Sequence, residues 1–284
     1  MTDQNSDKKP LSKMRILICG KGGAGKSSIL TLMANVLDGE GYKVLALDGD
    51  ASNPEGLLRL MFGLGKEDAP RALIEFFGGI KTVPCPVDDP LPLTRLGDPT
   101  PLPEKKIDIY DEVSPEYFIQ GERVILFQAG KIEEYGQGCD GPIEKVVRDF
   151  MVKGEWVSLI DIKAGIEHFG RRIADSMDII LTILDPTLES ISIANRVNNF
   201  CKEMGMKNFW LILNKIESEE IESKMMERLR ELKAKVIGVV HCDREVVKAG
   251  LEGSLGKCKA LGEVKEIAEV LERMIEYRAP VGEL

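Results

Sequence analysis

Seven short runs stay apolar along nearly their whole length: MRILICG (14–20), YKVLALD (42–48), RVILFQA (123–129), WVSLID (156–161), MDIILTIL (177–184), NFWLILN (208–214) and AKVIGVV (234–240). A strand exposed on one face would alternate apolar and polar positions, so unbroken runs of this kind predict strands of a parallel sheet covered on both sides. Between them the period changes to that of a helix. Ile191, Ala194, Val197, Cys201 and Met204 fall on one stripe, and Ile267, Val270, Leu271, Met274 and Ile275 on another. The alternation predicts an α/β fold, doubly wound, with a mostly parallel sheet of about seven strands and helices on both faces. In such a sheet, ligands gather at the carboxyl ends of the strands.

One stretch departs from this rhythm. From Pro84 to Pro103 the chain holds seven of its fourteen prolines, which suits neither a helix nor a central strand. It reads as an extended excursion, either a rigid surface loop or a partner-docking element, and KIDIYDEVSPEYFIQ (106–120) reads as a short hairpin after it. The expected organisation is a disordered tail at 1–13 and a single domain at 14–284 carrying the excursion and hairpin at 84–120.

Composition narrows the function. A net charge of −9 over 284 residues argues against nucleic acid and anionic membrane as partners, since both call for a basic footprint. The segment EVKEIAEVLERMIEYR (263–278) sets five Glu against three Lys or Arg, unlike a membrane-seeking basic helix. The N-terminal segment lacks the apolar core of a signal peptide, and no run reaches membrane-span length. The six cysteines form no CxxC, so a reducing, cytoplasmic setting is expected. His241 has no evident partner in the sequence.

The chemistry begins at GKGGAGKSS (20–28), between the first apolar run and a helical pattern. This is the G-x-x-x-x-G-K-[ST] loop in the setting it requires. Gly22, Gly23, Ala24, Gly25 and Ser28 turn backbone N–H groups toward the phosphates of ATP, Lys26 reaches the β- and γ-phosphates, and Ser27 ligates Mg²⁺. Aspartates end two further apolar runs, in LDGDASN (47–53) and DIKAG (161–165), and an asparagine-lysine pair, Asn214-Lys215, ends a third.

The additional lysine at position 21 makes the loop resemble the deviant Walker A motif of the MinD/ParA/nitrogenase-iron-protein class. That resemblance implies an ATPase that dimerises on ATP, with Lys21 reaching the partner's nucleotide. It implies further that Asp50 in switch I polarises the attacking water. Asp48 and Asp161 would support the Mg²⁺ shell, Gly165 in switch II would sense the γ-phosphate, and Asn214 with Lys215 would read the adenine. Ala51 stands where the class usually has proline. Within this class, DIKAGIEHFGRR (161–172) and AGKIEEYGQGCDGP (129–142) resemble the CooC-type ATPases that help load nickel into carbon monoxide dehydrogenase and related enzymes. A metalloenzyme client is the implied partner. Rival readings from the same class are a positioning ATPase of the MinD/ParA kind and an iron–sulfur reductase like the nitrogenase iron protein.

Two departures matter. The family's C-x-C becomes Cys139-Asp140-Gly141, and Lys163 stands in switch II where an acidic residue is expected. A dimer would then offer two Cys139 thiolates, too few for a closed soft-metal site. GQGCDG also resembles the first cluster-ligand turn of the nitrogenase iron protein, whose second ligand position falls here on His168. From this comes the expectation of a Cys139/His168 site for Zn²⁺ or Ni²⁺ at the dimer seam, with Asp140 as an alternative oxygen ligand. Two plainer roles stand beside it: His168 bonded within switch II, and Cys139 as a relic.

Overall fold

The computed structural model describes residues 9–253 and 255–277. In chain order its strands are β1 (Arg15–Gly20), β2 (Lys43–Gly49), β3 (Thr94–Arg95), β4 (Asp98–Pro101), β5 (Phe118–Gln120), β6 (Val124–Gln128), β7 (Trp156–Ile162), β8 (Ile179–Leu184), β9 (Phe209–Ile216) and β10 (Lys235–His241). The helices are α1 (Lys26–Gly39), α2 (Gly56–Phe62), α3 (Leu73–Phe76), α4 (Ile109–Glu112), α5 (Gly141–Asp149), α6 (Glu167–Gly170), α7 (Leu188–Glu203), α8 (Glu219–Leu229), α9 (Arg244–Glu252) and α10 (Lys259–Glu276).

Among the described residues, eight strands form one sheet in the order β10-β9-β8-β1-β7-β2-β6-β5. Every pairing is parallel except β5 with β6 at the edge. Each of the seven apolar runs supplies one parallel strand, and the eighth is the antiparallel edge that periodicity did not reveal. Alternate residues feed opposite faces. Leu17, Leu45, Leu47 and Ile160 join one apolar layer with Val146 and Val147 of α5 and Ala194, Val197 and Cys201 of α7. Ile16, Ile18, Val44 and Leu159 join the other with Leu30, Met33 and Leu37 of α1 and Val264, Ile267 and Leu271 of α10. Each such side chain contributes about 1.5–3 kcal/mol relative to exposure. The inward stripe of α10 is thus spent on the core, and no helix among the described residues is long and apolar enough to cross a membrane.

Two boundaries differ from expectation. Residues 9–13, assigned to a disordered tail, form a turn that buries Leu11 completely, while Lys13 N–H donates to the Trp156 carbonyl at 3.0 Å. One leucine able to enter the α1-side layer is enough to fix the turn; residues 1–8 lie outside the described residues. The segment 106–120 is not a hairpin. It holds α4 and a tight turn, and only its last three residues become a strand, β5. The small antiparallel pair is β3–β4, inside the proline-rich stretch, where Gly97 permits the tight reversal. That stretch is fastened to α5. Lys145, only 1 % exposed, donates to the Asp89 carboxylate at 2.9 Å, and Leu93 N–H donates to Asp149 at 2.7 Å.

Candidate functional site

The sheet register explains why the site exists where it does. β1 lies between β8 and β7, and its chain leaves the sheet at Gly20 directly into the glycine-rich loop and α1. On the neighbouring strands, Asp48 of β2 stands opposite Asp161 of β7 as register partners. Parallel pairing therefore brings together two carboxylates 113 residues apart in sequence, at the carboxyl edge beside the α1 N-terminus.

Within the loop, Gly25 takes φ +95°, and a β-carbon there would collide with the Asn214 amide. Asn214 in turn donates to the Ala24 carbonyl at 2.8 Å, and Lys215 Nζ to the Gly23 carbonyl at 2.7 Å. The end of β9 thus holds the loop in shape. Asn214 was expected to offer both donor and acceptor to adenine; here one of its two amide N–H donors is engaged by the loop. Beside it, a cleft of about 150 Å³ is lined by Gly25, Ser28, Asn214, Lys215, His241 and Cys242. His241 has a partner after all, Glu263 of α10, with Nδ1 at 2.8 Å from the carboxylate.

Ser27 Oγ donates to Asp161 Oδ2 at 2.5 Å, whereas Asp161 Oδ1 is buried without a partner. Burial, and then the neighbouring Asp48, push the Asp161 carboxyl up to about 7. A hydroxyl paired with a buried aspartate whose second oxygen has no partner is the oxygen-rich donor set a hard cation takes, so Ser27 and Asp161 fit Mg²⁺. Lys26 is buried, its Nζ 3.4 Å from the Lys21 carbonyl, folded over its own loop.

Lys21 is held by side chains of its own chain. Its Nζ lies 3.1 Å from Asp185, 3.2 Å from Thr187 and 3.6 Å from Glu189, and the bond it donates to Asp185 raises its pKa. In the loop after β2, Asp50 is partly exposed, and its carboxylate accepts from Ser52 N–H at 2.9 Å and Ser52 Oγ at 2.6 Å. In the loop after β7, Gly165 adopts φ +115°, and a β-carbon built on Gly22 of the glycine-rich loop would stand 3.6 Å from that of Ala164.

Lys131 was missed in the sequence. It leaves the carboxyl end of β6, is 8 % exposed in its side chain, and places Nζ 2.9 Å from Asp48 and 2.8 Å from the Asp50 carbonyl. A lysine two residues past an apolar run, at the edge where the phosphates are expected, was the available signal. Burial raises the Asp48 pKa and Lys131 opposes that rise. Lys131→Met is therefore expected to cost about 3 kcal/mol of stability where Asp48 is charged, because a buried carboxylate loses its partner. The loss shrinks as pH falls and the carboxyl takes up a proton. Urea unfolding at pH 8 and at pH 5 checks this, and equal losses would mean that Lys131 serves by packing alone.

Asp140, considered as an oxygen ligand for a metal, is otherwise engaged. Its carboxylate lies 2.6 Å from Arg171 and 3.4 Å from Lys163, and Arg171 also reaches Glu144 at 2.9 Å. Burial works against the charge of Asp140, yet the two cations prevail and its pKa is lowered. Lys163, unexpected at its position, thus helps tie the loop after β7 to the start of α5. Cys139 is exposed, while His168 is 2 % exposed, its ring 4.8 Å from that of Phe169 and its Nε2 without a partner. Burial lowers the His168 pKa to about 3, so the imidazole is neutral at physiological pH. The two residues occupy different surroundings, and among the described residues no three His, Cys, Asp or Glu side chains gather as a metal site.

The sequence profile of the CobQ/CobB/MinD/ParA nucleotide binding domain matches residues 16–255. The chain belongs to that family. An uncharacterized ATP-binding protein of Methanocaldococcus jannaschii is 36 % identical over 91 % of this chain and 99 % of its own. The carbon monoxide dehydrogenase accessory protein CooC of Rhodospirillum rubrum is 27 % identical over 72 % of this chain and 75 % of its own. Among solved structures, the septum site-determining protein MinD of Pyrococcus horikoshii, complexed with Mg-ADP, superposes with a TM-score of 0.65 at 17 % identity, covering 94 % of this chain and 99 % of that one. The last likeness establishes the fold: a P-loop sheet of the MinD/ParA type.

Proposed function

We propose that this member of the family is an ATP-hydrolysing, ATP-dimerising accessory protein that drives a conformational step in a metalloenzyme client. The observation that carries the ATPase reading is the Ser27–Asp161 pair with its unpartnered oxygen, beside a phosphate loop and a buried Lys26. Backbone N–H groups of residues 22–27 cradle the phosphates, and Lys26 turns from its own loop toward the β- and γ-oxygens. Ser27 and Asp161 hold Mg²⁺, with Asp48 supporting the shell; the ion, when bound, neutralises charge on the transferring phosphoryl group. Asp50 orients the attacking water, and Lys21 from a second subunit offsets the charge that develops. Gly165 reports the γ-phosphate to Lys163 and Arg171, a role supported by its neighbour Ala164, whose β-carbon would lie 3.6 Å from one built on Gly22.

The client half of the proposal is supported by similarity to CooC over 72 % of the chain. A metal at a Cys139/His168 seam would need switch II to turn the buried His168 ring outward on closure. The test is MgATP hydrolysis by the purified chain, followed by sedimentation with a non-hydrolysable analogue. Phosphate release on the order of one per minute or faster, and a dimer seen only with the triphosphate, are expected. Triphosphate binding with neither hydrolysis nor dimerisation would overturn the reading.

A further inference from the structure

The glycine at position 141 has neighbours that no motif predicts. A β-carbon built there would stand 2.6 Å from Cys85 Sγ and 3.5 Å from Cys139 Sγ. Both sulfurs therefore surround one small space, left open because residue 141 has no side chain, and they are separated by no more than the sum of those two distances. Cys85 arrives from the proline-rich excursion and is half-buried; Cys139 arrives from the loop between β6 and α5 and is exposed. The excursion is fixed by the buried Lys145 on Asp89 and by two amides, Asp88 and Asp89, donating to the Cys85 carbonyl at 3.1 and 2.9 Å. Cys139 has room to move. Gly136 and Gly138 precede it with φ +79° and +116°, and nothing lies within 4 Å of where their β-carbons would be.

We propose that Cys85 and Cys139 are a redox pair that closes to an intrachain disulfide and thereby acts on switch II. No third ligating side chain gathers with them among the described residues, so the bond these two thiols can make within one chain is with each other. The other four cysteines are unsuited. Burial pushes the thiols of Cys19 and Cys201 up to about 11 and 12, and it raises those of Cys242 and Cys258 as well.

The oxidant is a low-molecular-weight disulfide. The Cys139 thiolate attacks one of its sulfurs, forming a mixed disulfide and releasing one small thiolate. The Cys85 thiolate then attacks the Cys139 sulfur and releases the second. The protein pair loses two electrons, the small disulfide gains them, and the two thiol protons pass to the two departing thiolates. A disulfide holds its sulfurs at about 2.05 Å, so closure draws Cys139 toward the excursion. The next residue, Asp140, carries the contacts with Arg171 and Lys163 of switch II. Closure thus pulls on the connection between Lys163 and Arg171 and the start of α5.

The experiment is incubation of the full chain with glutathione disulfide, with peptide mapping under non-reducing conditions and MgATP turnover measured on the same samples. A Cys85–Cys139 linked peptide is expected, with turnover lowered at least fivefold and restored by dithiothreitol. Cys85→Ser is expected to stop at the glutathione adduct on Cys139 and to keep its turnover. Gly141→Ala keeps both thiols but fills the space between them, and closure is expected to slow at least tenfold. A mixed disulfide at Cys139 as the end product in the parent, a Cys139–Cys139 link between subunits, or closure unaffected by Cys85→Ser would overturn the pairing. Should Gly141→Ala not fold, the Cys85→Ser variant decides alone. An unchanged turnover in the closed form would overturn the link to switch II. That second arm rests on the ATPase reading: a reduced protein without turnover would defeat that reading and leave the linkage result standing.

Discussion

Lys21→Ala is expected to leave ATP binding to the monomer intact while abolishing the ATP-dependent dimer, with hydrolysis falling on the order of 10³-fold. The size follows from the task proposed for Lys21. A cation delivered in trans to the developing charge of phosphoryl transfer supplies rate factors of roughly 10³–10⁵, because little else is left for the protein to do beyond positioning. Binding should survive, since the loop is shaped by Asn214 and Lys215 and the phosphates are met by Lys26, none of which uses the Lys21 side chain. The monomer should survive too. Asp185 loses one partner but keeps Thr187 Oγ1 at 2.7 Å and the Ser190 hydroxyl at the start of α7. Sedimentation velocity with a non-hydrolysable triphosphate separates the possibilities. A variant that dimerises as the parent does would show that Lys21 acts within its own subunit, where it lies against Asp185 and Glu189.

Much of this architecture is legible in the chain, and for a physical reason. A strand buried on both faces must be apolar at every position, so its signature survives whatever surrounds it, as MRILICG and MDIILTIL show. The phosphate loop is equally local: its glycines, its lysine and its hydroxyl act through the backbone that bears them. What escaped depended on register and on distant segments. The pairing of Asp48 with Asp161 is set by how β2 and β7 align. Lys131 matters because β6 happens to end beside Asp48. Leu11 looked like part of a polar tail because one buried leucine carries no period. The proximity of Cys85 and Cys139 is less legible still, since it depends on where a proline-rich segment docks on α5. Resemblance placed His168 near a metal, but burial among apolar neighbours is a property of the folded switch and not of the spacing that named it.

Asp161→Asn is expected to make the protein more stable and far less active. In the absence of the ion, Asp161 is a buried carboxyl next to a second one, Asp48, and its pKa is pushed up to about 7 from an ordinary 3.8. A carboxyl whose folded pKa is raised favours the folded state when protonated. Its contribution is therefore intact below about pH 4 and is lost progressively as pH rises from there through about 7. Above pH 7 the native state carries a charge it solvates poorly. The asparagine variant never carries that charge, and its amide oxygen still accepts from Ser27. At pH 8 it should gain on the order of 2 kcal/mol over the parent, with the advantage fading toward pH 4. The same change removes the anionic oxygen that holds Mg²⁺, and hydrolysis should fall at least 100-fold, by the scale on which preorganised charge contributes to such transfers. Magnesium binding provides a readout apart from activity. In the parent, the ion must displace the proton on Asp161, so its affinity should weaken by up to about tenfold per pH unit below 7. In the variant, binding is weak and loses that slope. Urea unfolding and Mg²⁺ titration across pH 5–8 test both halves together. A variant less stable than its parent at pH 8 would mean that the Asp161 charge is satisfied in the folded protein. A parent affinity flat with pH would mean that the ion is held elsewhere.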